Sequence, residues 1–171
     1  MHPPRPRAKV SPRKSSRQPE AGAPEAAFAE GLKALNRRER SVAELGEWLT
    51  ARGHDDDAVE AAIAKLIDGG GLDDRRLAEC FAVDKRELSG WGEERIAAAL
   101  IDRGIDRDLA EGMASEPYED QADRAARLLA ERAESLDSDA ARSRALGFLT
   151  RRGFAYEIAY DAIRGLASDQ R

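Results

Sequence analysis

Apolar residues recur along this 171-residue chain at spacings of three and four, the period of an amphipathic helix. Phe28, Leu32 and Leu35 form one stripe, and Val42, Leu45 and Leu49 form the next. The second begins at Ser41-Val-Ala-Glu44, whose serine and glutamate have the spacing of a capping box. A third stripe, Val59, Ile63, Leu66 and Ile67, follows Asp55, Asp56 and Asp57, which supply a cap and a negative first turn. The pattern then starts again. Asp73 and Asp74 open a helix carrying Leu77, Phe81 and Leu88; Gly90-Trp91-Gly92 interrupts it; Ile96 and Leu100 line a second helix; Asp106 caps a short third with Leu109 and Met113. In the last stretch Pro117-Tyr118 starts a helix with Leu128 and Leu129, Asp137-Ser138-Asp139 precedes Leu146 and Leu149, and Ile158, Ala162, Ile163 and Leu166 finish the chain. No segment alternates with period two long enough to nominate a strand, so the predicted fold class is all-α.

A sequence motif marks the repeat. Leu49-Thr-Ala-Arg52-Gly53-His54, Leu100-Ile-Asp-Arg103-Gly104-Ile105 and Leu149-Thr-Arg-Arg152-Gly153-Phe154 share Leu-x-x-Arg-Gly-x, with the glycines 51 and 49 residues apart. A helix that ends in a Schellman turn needs positive φ at the residue after its cap and packs the following residue against the leucine. Gly53, Gly104 and Gly153 fit the first requirement; Ile105 and Phe154 fit the second better than His54 does. Arg52, Arg103 and Arg152 fall at the cap, where a cation favours the negative end of the helix dipole, and capping is the first role to assign them. The predicted organisation is three tandem three-helix units, 25–68, 69–116 and 117–171, forming an elongated, curved body.

Charge adds a fourth segment. Arg5, Arg7, Lys9, Arg13, Lys14 and Arg17 give residues 1–19 a charge of +6 with no acid, among five prolines, whereas the whole chain carries −5. Residues 1–24 are predicted to be a disordered basic tail, serving either as an electrostatic tether to a polyanion or as a solubilising arm. The remaining −11 argues against a surface that clamps nucleic acid along its whole length. Aromatic residues make up 5% of the chain, so the cores rest on Ala, Leu, Ile and Val.

Catalytic and metal chemistry find little footing. Gly69-Gly70-Gly71 lacks the lysine of a phosphate loop and reads as a flexible link. The two histidines are His2, in the tail, and His54, which leaves a Ser-His-Asp or Cys-His pair poorly supplied. Cys80 alone makes neither a disulfide nor a zinc site, and a buried helical position is expected for it. No enzyme activity, cofactor or metal is expected. With no apolar run long enough to span a bilayer and no signal peptide, the expected location is the cytoplasm.

The ordered series Ala34-Leu35-Asn-Arg-Arg38-Glu-Arg40-Ser41-Val-Ala-Glu44-Leu45, Gly71-Leu72-Asp73-Asp74-Arg-Arg76-Leu77-Ala78, Gly90-Trp-Gly92-Glu-Glu-Arg95-Ile96 with Arg103-Gly104-Ile105, and Phe148-Leu149-Thr-Arg151-Arg152-Gly153-Phe154-Ala-Tyr156-Glu157 resembles the RecX family of recombinase regulators across residues 26–167. Leu77, His54 and Ala155 depart from the family pattern, where phenylalanine, an apolar residue and serine are usual. The resemblance implies a protein that lodges in the groove of the RecA nucleoprotein filament across neighbouring protomers, and a monomer is expected. It further implies modulation of recombinase and ATPase activity, with inhibition the usual outcome.

Candidate contacts with the RecA filament or DNA are Arg38 and Arg40 at the first turn, Arg76 and Arg86 in the second unit, and Arg95 beside Gly90 and Gly92. Arg144 and Arg151, seven apart on one helix face, complete the set. The competing role is a solvated face with short-range pairing, for example Glu39 or Glu44 with Arg40. A rival function is a stand-alone module that binds single- or double-stranded DNA through the tail and the arginine-bearing helices; a third is a scaffold for another protein.

Overall fold

A computed structural model of the protein describes residues 23–132 and 135–169. Among them are nine helices: α1 (Ala23–Leu35), α2 (Val42–Thr50), α3 (Asp56–Asp68), α4 (Asp74–Ser89), α5 (Glu93–Asp102), α6 (Arg107–Ala114), α7 (Tyr118–Glu131), α8 (Asp139–Arg151) and α9 (Tyr156–Asp169). Every extensive helix–helix packing contact falls within a triplet: α1–α3, α4–α6 or α7–α9. Each triplet has its own core. Leu45, Leu49, Leu66 and Leu72 centre the first, Ile96, Leu100 and Ile105 the second, and Leu149, Phe154, Ile158 and Ile163 the third. Alanines such as Ala27, Ala78, Ala110 and Ala145 fill the spaces between them, allowing short helices to approach closely.

Local sequence explains where the helices start and stop. Ser41, Asp55, Asp73, Asp106 and Ser138 all accept a hydrogen bond from a backbone N–H of the turn they precede, and Ser41 with Glu44 forms the complete capping box. Each repeated motif closes as a Schellman turn. His54, Ile105 and Phe154 donate their N–H to the carbonyls of Leu49, Leu100 and Leu149 at 3.4, 3.1 and 3.2 Å. Gly53, Gly104 and Gly153 hold φ of +90°, +77° and +87°. Ile105 and Phe154 are buried under these turns. His54 instead stays partly exposed, with its Nε2 3.4 Å from Glu30.

Four expectations change. The basic tail lies outside the described residues except at its end, where α1 begins at Ala23 and takes in Pro24; proline is tolerated in a first helical turn because its missing N–H has no partner to lose. Gly69-Gly70-Gly71 is an ordered helix stop, not a flexible link: Gly70 has φ +68°, and Gly71 and Leu72 both donate to the Leu66 carbonyl. Cys80 is exposed, because Leu77, Ala78 and Ala82 form the buried stripe of α4 and turn Cys80 outward. Leu88 is not a core residue but 82% exposed. The 16-residue α4 outruns its partners α5 and α6, of 10 and 8 residues, so its last turn projects past the core they build with it. Leu32 and Ile67 likewise sit at the edge of their stripes and are exposed.

Stop glycines are not equivalent in what surrounds them. A Cβ at Gly53 would meet nothing, whereas one at Gly104 would collide with Ala43 and one at Gly153 with the backbone and Cβ of Arg95. Gly53→Ala is therefore expected to cost about 1 kcal/mol for its backbone conformation alone. Gly104→Ala and Gly153→Ala should cost about 3 kcal/mol, because overpacking adds to that strain. Urea unfolding midpoints of the three variants test this ranking, and equal losses would contradict it.

Candidate interaction surface at the unit junctions

The motif that ends a helix within a unit also joins it to the unit before. At the first junction, the Arg103-Gly104 stop of the second unit sits on the first turn of α2. Ser41 Oγ donates to the Arg103 carbonyl while also accepting the Glu44 N–H. The Glu44 carboxylate accepts from Ser41 N at 3.0 Å and from Arg103 Nε and Nη2 at 3.2 and 3.1 Å. Asp74, at the start of α4, reaches back to accept the Val42 N–H at 2.9 Å.

The second junction repeats this arrangement with different residues. Gly92, the cap of α5, donates its N–H to the Arg152 carbonyl at 2.8 Å, and Glu94 donates to the Gly153 carbonyl at 3.1 Å. Gly92 and Gly153 face each other with no room for a Cβ on Gly92. Arg95 Nη1 donates to the Arg151 carbonyl at 3.2 Å. Buried Gln121, near the start of α7, donates to Glu93 at 2.9 Å, matching the reach of Asp74 to Val42. Arg152 thus acts at its junction through its backbone carbonyl, whereas Arg103 uses both its carbonyl and its guanidinium. Among the described residues no unit precedes the first copy, and Arg52 lies 3.8 Å over the Trp48 ring and 3.4 Å from Glu30.

Electrostatics follow from this packing. Burial pushes the Glu44 carboxyl up, but the Arg103 guanidinium and the Ser41 N–H outweigh it, leaving its pKa below the ordinary carboxylate value. Burial raises the Asp74 carboxyl above its ordinary value, with the Val42 N–H only partly offsetting it. Arg40 is lowered by burial and by Arg38, and its Nε is enclosed without a hydrogen-bond acceptor.

The arginines picked out from sequence fall into distinct settings. Arg40, 5.3 Å from the Trp48 ring, and Arg76, whose guanidinium donates to the Gly70 carbonyl at 3.3 Å, line one hollow of about 260 Å³ between the first two units, together with Leu32, Asn36 and Glu39. Arg38 is exposed, 3.7 Å from Glu44. Arg95 and Arg151 line a shallow depression of about 450 Å³ at the second junction with Phe148 and Arg152. Arg95 lies 4.0 Å over the Trp91 ring and Arg152 4.5 Å over Phe148. Arg144 and Arg151 are exposed, and neither guanidinium is paired among the described residues.

Arg86 differs from the rest. Its Nη2 donates to the Met113, Ala114 and Ser115 carbonyls at 2.8, 2.6 and 3.2 Å, and its Nε lies 3.1 Å from Glu116. It staples the end of α6 to α4. Phe148, Arg124 and Arg127 join the junction surfaces without having been singled out. Their signal was present as an aromatic one place before the stop leucine, and as arginines three apart on α7, but neither pattern distinguishes a surface from a core edge.

Glu44, with its pKa depressed, contributes stability that is present above the unfolded carboxylate value of about 4.3 and is lost as pH falls through its folded pKa. Asp74 has the opposite sign, so a variant isolates Glu44 better than the wild-type profile does. Glu44→Gln should lower the urea midpoint at neutral pH, with the difference shrinking as the pH falls below the ordinary carboxylate range. Arg103→Ala should cost about 1–2 kcal/mol at neutral pH, since the pair is partly exposed.

Among the described residues no helix is long and apolar enough to cross a membrane, and no group of three or more His, Cys, Asp or Glu is placed to hold a metal. The family profiles of the RecX first and second three-helix domains match residues 27–66 and 73–112. The regulatory protein RecX of Mycobacterium sp. (strain KMS) is 33% identical over 147 residues, covering 81% of this chain and 80% of its own. That of Stenotrophomonas maltophilia (strain R551-3) is 42% identical over 123 residues, covering 70% and 74%. The crystal structure of RecX from Lactobacillus salivarius superposes with a TM-score of 0.77 at 25% identity, over 87% of this chain and 99% of that one. With three-helix units, two matching domain profiles and relatives aligned over most of their length, the chain belongs to the RecX family of regulatory proteins.

Proposed function

We propose that the protein binds the RecA nucleoprotein filament across neighbouring protomers and restrains its recombinase and ATPase activities in DNA repair and homologous recombination. The observation that carries this is the repeated junction, in a member of the RecX family. Arg40 with Arg76 and Arg95 with Arg151 line hollows at successive junctions along one chain. A partner that presents copies of one surface at intervals suits such a series, and several weak contacts linked in one body give avidity. The contacts assigned are Arg38, Arg40, Arg76, Arg95, Arg144 and Arg151, with Arg86 holding the second unit in shape from within. The units 25–68, 69–116 and 117–171 act together as a monomer in the cytoplasm. The +6 segment adds a non-specific contact to the DNA of the filament.

The test is DNA-dependent ATP hydrolysis and strand exchange by RecA on single-stranded DNA, with the purified protein added. Stoichiometric amounts should slow both, and no effect would overturn the proposal. Arg144→Ala with Arg151→Ala should raise the concentration needed by about tenfold, because neither side chain has an internal partner to lose. If the protein instead binds DNA equally well without RecA and leaves RecA activity untouched, the stand-alone nucleic-acid module is the better account.

A further inference from the structure

A cleft of about 630 Å³ opens between the last turn of α4 and the helix α7. Arg86, Leu88, Arg124, Arg127, Leu128 and Arg152 line it, with Glu87 and Glu131 on its rim. Its lining carries four arginines against two glutamates. Arg86 and Arg124 converge on one carboxylate, Glu116: Arg86 through Nε, Arg124 through both terminal nitrogens, with Nη1 at 2.9 Å. The Arg124 side chain is only 11% exposed, and its Nε and that of Arg152 are enclosed without hydrogen-bond acceptors. Arg127, at the surface, has no partner among the described residues.

Part of this arginine content has an internal use. Helices α4, α7 and α8 all end near the cleft, and cations offset the negative ends of helix dipoles. Arg86 binds the last carbonyls of α6 directly. Capping does not account for Arg127, and it does not account for Leu88, which projects 82% exposed at the lip beside these guanidiniums with Leu128 opposite. An apolar side chain held in water beside Arg127, whose guanidinium has no partner among the described residues, and Arg152, whose Nε lacks an acceptor, matches a ligand that carries carboxylates and an apolar group together. It matches nucleic acid poorly. The lining has no aromatic ring on which a base could stack, and the first two units carry −4 and −5, which repels a long polyanion.

We infer that this cleft receives an acidic polypeptide segment of the recombinase, whose carboxylates meet Arg127 and Arg152 while an apolar residue packs on Leu88 and Leu128. The assignment rests on the proposed function and names one of its contact sites. Leu88→Gln and Arg127→Ala change side chains with no internal partner, so the fold should survive; circular dichroism and the urea midpoint verify that. The full-length variants are compared with the wild type in binding to RecA, in slowing its ATP hydrolysis on single-stranded DNA, and in binding a free single-stranded oligonucleotide. Arg107→Ala, on an exposed pair with Glu111, is the control.

The expected result is that the double variant needs about tenfold more protein to slow hydrolysis, with oligonucleotide binding unchanged and the control like wild type. Unchanged inhibition by the double variant would remove the cleft while leaving the proposed function standing. An equal loss in oligonucleotide binding would make the cleft a nucleic-acid site and overturn the acidic-peptide assignment. A wild-type protein that neither binds nor slows RecA removes both.

Discussion

At each junction a left-handed glycine that ends a helix in one unit is pressed against the first turn of a helix in the unit before. Gly104 lies on Ala43 and Gly153 on Arg95, leaving no room for a Cβ. Only at this separation can the carbonyls of Arg103, Arg152 and Gly153 reach Ser41 Oγ and the amides of Gly92 and Glu94. Those amides and carbonyls belong to helix ends, where four groups lack intrahelical partners. The junction therefore satisfies two helix termini with each other. Units of about 40–50 residues bury too little surface to be comfortable alone, and the junctions supply the rest.

Charge then divides between support and display. Glu44 and Glu116 each collect more than one guanidinium: Arg103 and Arg38 on the first, Arg86 and Arg124 on the second. These acids fix arginines that sequence composition cannot tell from those free to meet a partner. Removing either carboxylate would leave partly buried cations facing one another, which costs more than an exposed pair is worth. Arg144, Arg151 and Arg127 remain at the surface with no such anchor. A net charge of −5 thus conceals local excesses of both signs, and the positive ones gather at the second junction.

The proposed contact with a helical polymer gives this construction a mechanical consequence. Because each junction is a close glycine seat with its own polar bonds, the spacing between successive arginine-lined hollows is set by the chain itself. A partner with a matching repeat then meets contacts already placed, and little ordering entropy is spent on binding.

Much of the fold was legible in the sequence, because helix periodicity, caps and stops are local. Ser41 with Glu44, Asp55, Asp73, Asp106 and the Leu-x-x-Arg-Gly-x motif specify ends through contacts a few residues apart. What the sequence did not contain was which face of each end would be covered. Gly53, Gly104 and Gly153 have the same motif, yet a Cβ would meet nothing at the first and a neighbouring unit's helix at the other two. Leu88 follows the helical period and is exposed because α5 and α6 are too short to reach it. Arg86 and Arg151 look alike along the chain, yet one is spent on three carbonyls and the other has no ion pair. The sequence by itself determined the all-α class, the threefold repeat and most of the helix ends, since those depend on neighbours in the chain. Only the tertiary structure decided which glycines, carboxylates and arginines are joints and which are surface, since that depends on residues 30 to 60 positions away being brought within hydrogen-bond distance.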